Sequence, residues 1–124
     1  MKTLAELTKD ERSLLLFLET RAVDYGGRVN TVHMNAEDMA LAAEWNRTGF
    51  LLFGRISSHY LGMRGAESVV AHGPVAEARR LGTHWCELTA DAWRLAHEER
   101  RARAERMKQA RTWKTPAEHK ASHD

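Results

Sequence analysis

The side chains able to do chemistry are thinly spread along this chain. Seven histidines and one cysteine, Cys86, are the candidate metal ligands and nucleophile. His84 and Cys86 alternate, so in a strand both point to one face, and His59 or His72 could join them. A structural zinc site pairs C-x₂₋₄-C with H-x₃₋₅-H or a second cysteine pair, and a lone cysteine supplies no such set. The expectation is therefore scattered histidines, a buried Cys86, and neither metal nor cofactor. A cysteine nucleophile needs a base and an electropositive setting; Cys86, between Trp85 and Glu87, is expected to face a core instead. Gly26-Gly27-Arg28 and Gly62-x-x-Gly65 lack the strand–glycine loop–helix context of a phosphate cradle and read as turns. Carboxylates pair only as helix caps and i,i+4 partners, which leaves general acid–base chemistry without a constellation. The expected class is non-enzymatic.

Positive charge is the one feature that gathers. Up to residue 93 there are ten Lys/Arg against twelve Asp/Glu; from Arg94 onward there are nine against five. Arg94, Arg100, Arg101, Arg103, Arg106, Lys108, Arg111 and Lys114 could form a salt-sensitive footprint for nucleic-acid phosphates. The competing reading is a solvated helix partly neutralised by Glu98, Glu99 and Glu105, with cations at its C-terminus where the dipole favours them. Trp113, beyond this helix, is the tryptophan expected to touch a partner. Composition is that of an ordinary globular chain, with 43% hydrophobic and 29% charged residues, so wholesale disorder is not expected. No apolar run approaches the roughly 20 residues that span a bilayer. The charged start MKTLAELTKDERS does not resemble a signal peptide, and one cysteine suits a reducing compartment, so the expected location is cytoplasmic with no membrane partner.

Residues 1–110 should form one domain and 111–124 a flexible basic tail. Thr8 and Glu11 form a capping box that opens a helix with Leu14, Leu15, Leu18 and Ala22 on its core face, stopped by Gly26-Gly27. Val29–Met34 reads as a short strand or extended connector. Asn35 caps a central helix, with Met39, Ala42, Ala43 and Asn46 on one face and Leu41 and Trp45 beside it. Gly49 ends it, and Phe50–Ile56 runs directly on as a strand. PVAEARRL, from Pro74, reads as a short helix closed by Gly82. Thr83–Leu88 is a second strand able to pair with Phe50–Ile56. Thr89 caps a long helix whose expected inner stripe is Ala90, Trp93, Ala96, His97, Arg100, Ala104 and Met107, with Glu98–Arg101 and Glu99–Arg103 paired on its exposed face.

Helix, glycine, strand, loop, strand, then Leu88-Thr89 starting a helix is the order of a winged helix. Ala42–Gly49 followed by Phe50-Leu51-Leu52 resembles that family's recognition helix and first wing strand; Glu87 to Ala96 resembles the second wing strand running into a dimerisation or capping helix. The resemblance spans roughly Thr8 to Lys108. It implies an α+β, mostly helical, winged-helix-like fold, with a two- or three-stranded antiparallel sheet and a long C-terminal helix. The function it implies is DNA binding as a transcription regulator, with Arg47, Arg55 and Arg64 joining Arg100, Arg101 and Arg103 on phosphates. Self-association as a homodimer through the C-terminal helix fits the same outline. Two features point elsewhere. Only one helix is visible between Ala22 and Phe50, where the family places two, and it carries Glu37, Asp38 and Glu44 against Arg47 alone. The alternative is the same scaffold as a protein–protein module, such as a phage or mobile-element adaptor or inhibitor, docking through Glu37, Asp38, Glu44 and Trp113.

Overall fold

The structure, a computed structural model, describes residues 2–57 and 80–112. Its elements run α1 (Lys9–Asp24), β1 (Arg28–Val29), α2 (Ala36–Thr48), β2 (Leu51–Arg55), β3 (His84–Leu88) and α3 (Ala90–Thr112), with 3₁₀ turns at Leu4–Glu6 and Thr31–His33. The architecture is α+β and mostly helical, with a three-stranded antiparallel sheet in the order β1-β3-β2 and a long C-terminal helix. The start of the short helix at Pro74, the turn Gly62-x-x-Gly65, His59, His72, Arg64 and Trp113 lie outside the described residues, while Arg80 and Leu81, the last two residues of that helix, are helical.

Local chemistry accounts for the element ends. At α1 the Thr8 hydroxyl accepts from Glu11 N–H and the Glu11 carboxylate accepts from Thr8 N–H. Asn35 and Asp38 repeat that reciprocal box on α2, which satisfies two of the donors that a helix start leaves orphaned. Thr89 caps α3 by accepting from Ala92 N–H. Gly49 takes the left-handed conformation at φ 80°, so α2 stops and β2 starts two residues later. Of the Val29–Met34 stretch only Val29 is in a strand, the two-residue β1, and Thr31–His33 forms a single 3₁₀ turn, which Asn30 caps through Val32 N–H.

β2 and β3 pair from Leu51↔Leu88 to Arg55↔His84, and β1 adds Arg28↔Trp85 and Val29↔His84 on the other edge of β3. Leu51, Phe53, Cys86 and Leu88 share the buried face; Leu52 and Glu87 take the other. Leu15 and Leu18 of α1, Val29, Leu51, and Leu95 of α3 are the largest fully buried apolar side chains. Each contributes roughly 1.5–3 kcal/mol through the area it removes from water.

Two helical faces differ from the sequence reading. The buried stripe of α3 is Ala92, Leu95, Ala96 and Glu99, whereas Ala90, His97, Arg100, Ala104 and Met107 are exposed. Counting alanines and Trp93 sets the phase wrongly, because the true stripe contains a buried carboxylate. Glu99 does pair with Arg103, at 2.7 Å, but from a buried position, and Glu98 pairs with Arg94 rather than Arg101. On α2 the buried residues are Ala42 and Trp45 while Ala43 is exposed. Asn46 stays on the surface with its amide oxygen accepting from Phe53 N–H, which ties α2 to β2. α3 also continues through Arg111 and Thr112, residues expected to belong to the tail.

Candidate nucleic-acid interface

α3 runs antiparallel to α1: its Arg100 meets Glu19 and Thr20, and its Arg103 meets Ser13 near the start of α1. That packing sorts the arginines of the basic segment into two sets. Glu19, buried on α1, accepts from Arg100, which also donates to the Thr20 hydroxyl. Glu99 accepts from Arg103 at 2.7 Å and lies 3.5 Å from Arg106. Arg94 bridges Asp91 and Glu98 and donates to the Lys2 carbonyl. Its hydrogen bond holds the Asp91 carboxyl below the usual range. These cations are anchors of the helix packing. Burying a carboxylate is tolerable only when such partners come with it.

The second set is different. Arg101, Lys108 and Arg111 are exposed and make no hydrogen bond or ion pair among the described residues. At about 100° per residue, His97, Arg101, Ala104, Lys108 and Arg111 fall within an arc of about 80° on one side of α3. This arc lies nearly opposite the buried stripe; His97 at its start lies 3.7 Å from Glu19 of α1, and from Arg101 to Arg111 it faces solvent. Exposed Glu105 lies beside the row but forms no ion pair with it, so these cations present positive potential to solvent.

The remaining predicted residues scatter. Arg47 donates twice to Glu44, an exposed pair whose hydrogen bond lowers the Glu44 pKa and raises that of Arg47. Arg55 ends β2 exposed, beside His84 of β3. Glu37 is exposed, and Asp38 is committed to the α2 capping box. Of the six arginines expected on phosphates, Arg55 and Arg101 are thus the described ones without an ion-pair partner, and they sit on different elements. Lys108 and Arg111 complete the row with Arg101. The sequence showed them as basic; only the phase of α3 distinguishes them from Arg100, Arg103 and Arg106.

His84 and Cys86 have structural environments. The His84 ring stacks on Phe53 with centroids 5.4 Å apart, and burial followed by the nearby Arg55 charge pushes its pKa down. Burial pushes the Cys86 thiol up to about 11, and the thiol lies 3.5 Å from the Leu18 carbonyl, so at neutral pH it stays protonated. Among the described residues no three His, Cys, Asp or Glu side chains gather as a metal site. None of their helices is long and apolar enough to cross a membrane.

Buried polar residues are what sequence reasoning missed. Arg21 donates to the carbonyls of Arg28 and Leu81, and Arg28 donates to the Gly82 carbonyl. Together they clamp the returning chain onto β1. Their partners lie up to 60 residues away, so no local spacing announces them. Compared with protein-family models, curated proteins and solved structures, the chain gives no match.

Proposed function

We propose that this chain is a small, non-enzymatic, winged-helix-like protein that binds nucleic acid in the cytoplasm as a regulator, with the outer row of α3 as its main phosphate contact. The observation that carries this reading is the unneutralised row Arg101, Lys108 and Arg111 on a helix whose other cations are already paired. Arg55 at the end of β2, with Arg64, would extend the contact from the wing. Arg47, Arg100 and Arg103 are already held in ion pairs and contribute no free cation of their own. The order of helices and strands and the 3₁₀ turn before α2 support the winged-helix scaffold. The acidic face of α2 makes that helix a poor groove reader, since Glu37 and the Glu44–Arg47 pair offer phosphates no free cation.

The test is binding of a labelled random-sequence duplex over a range of salt. The three cations of the α3 row contribute about −2.7 to the log–log slope, at about −0.9 per phosphate neutralised, and Arg55 and Arg64 would steepen it further. A triple variant Arg101→Gln/Lys108→Gln/Arg111→Gln should remove most of the binding while leaving the melting temperature unchanged. Equal binding by that variant, or no binding by the wild type at low salt, rejects the assignment. In the second case the exposed acidic edge of α2, with Glu37, Asp38 and Glu44, favours the other reading, a protein-docking module in which Trp113 would anchor the partner.

A further inference from the structure

Two clefts of opposite charge flank the first turns of α1, and Ser13 lines both. The first, about 670 Å³, lies between α1 and the outer half of α3 and carries Lys9, Arg12, Arg103 and Arg106 over Glu99. Met107, 61% exposed, stands at its edge, with buried Leu7 beneath. The second, about 350 Å³, lies between the starts of α1 and α2 and is lined by Asp10, Glu11, Glu37 and Asp38 with half-buried Leu41. No cation lines it.

A basic cleft and an acidic cleft separated by one short ridge form a self-complementary surface. Rotating a second copy by 180° about an axis through the ridge sets each basic cleft against the other copy's acidic cleft. We infer that the chain forms a two-fold dimer through the first turns of α1, with Lys9 and Arg106 of each copy facing Asp10 and Glu37 of the other. Met107 and Leu41 supply the apolar contact at the centre of each half.

Two observations support a second copy as the occupant. Lys9, Asp10 and Glu37 make no ion pair among the described residues, so their charges are free to pair across an interface. Glu11 and Asp38 are spent on capping boxes yet still add negative potential. The phosphate row on α3 faces away from this ridge, so dimerisation leaves it open.

Sedimentation velocity of the full chain, without nucleic acid, tests the inference at low and high salt. The expected result is a dimer at low salt that weakens as salt screens the paired clefts. Two variants, Lys9→Glu/Arg106→Glu and Asp10→Lys/Glu37→Lys, should each dissociate at least about tenfold more readily, because like charges then meet across both halves. Mixing the two should restore a heterodimer, since each altered cleft then meets its opposite, an outcome a folding defect would not produce. A wild type that stays monomeric at low salt, variants that dimerise as the wild type does, or a mixture without heterodimer would each overturn the inference.

Discussion

His84 reports on its neighbours because two causes, burial and the Arg55 charge, act on it in the same direction. Its folded pKa lies below its unfolded value near 6.5, so the unfolded chain takes up the proton first as pH falls. The His84 contribution to stability is therefore complete above about pH 7 and declines through 6.5, levelling off only below the folded pKa. Denaturant midpoints between pH 7.5 and 5 should fall in the wild type and fall less in His84→Gln. Arg55→Gln should raise the His84 pKa in an NMR titration without returning it to the ordinary value, because burial is the larger cause. Glu99 supplies the second residue-scale prediction. Arg103→Ala removes its close partner and leaves a buried carboxylate dependent on Arg106 at 3.5 Å, a loss of about 2–4 kcal/mol in denaturant unfolding. The double variant Glu99→Leu/Arg103→Leu should lose less, since removing both charges leaves no carboxylate to desolvate.

At the scale of elements, what the sequence could show was what depends on residues a few positions apart. The Thr8/Glu11 box, the Gly49 stop and the Thr89 cap are local devices, and each was readable before any fold was known. The phase of α3 was not, because Glu99 is buried only through its pairing with Arg103 and Arg106, and a hydrophobic count discards a glutamate. Glu19 was hidden for a related reason: its cation, Arg100, lies 81 residues away. Gly82 shows the same limit for a glycine. It does stop a helix, since Arg80 and Leu81 are helical and Gly82 is not, but its backbone, at φ 107°, also presses on β1 so closely that an added Cβ would lie 1.9 Å from the Val29 carbonyl oxygen. The contrast with Gly49, also left-handed but with open space around its Cβ position, yields a prediction. Gly49→Ala should cost about 1 kcal/mol, the conformational penalty alone. Gly82→Ala should cost about 3 kcal/mol or more, because strain and a backbone clash add. Thermal melts should separate the two by several degrees, at roughly 4–8 °C per kcal/mol for a domain near this size.

For the whole molecule, the question is whether net charge or its placement governs contact with a polyanion. The chain carries only +2, and its first 93 residues hold more acids than bases. A mean-field view would therefore predict feeble binding, equally sensitive to the loss of any one cation. The structure argues for placement. At 0.15 M salt exposed charges separated by more than about 8 Å are screened from one another, so the acidic cleft at the start of α2 acts weakly on the outer row of α3. Neutralising one cation of that row should then lower the salt slope by about one, the loss of one phosphate contact. Arg101→Gln and Arg47→Gln change net charge identically, but Arg47 is already paired with Glu44. The expected outcome is a reduced slope and weaker duplex binding for Arg101→Gln, and a slope for Arg47→Gln equal to that of the wild type. Equal losses in the two variants would mean that net charge dominates, and the row on α3 would lose its standing as the contact surface. A loss confined to Arg47→Gln would move the contact to α2, and with it the role of recognition helix that its acidic face argues against.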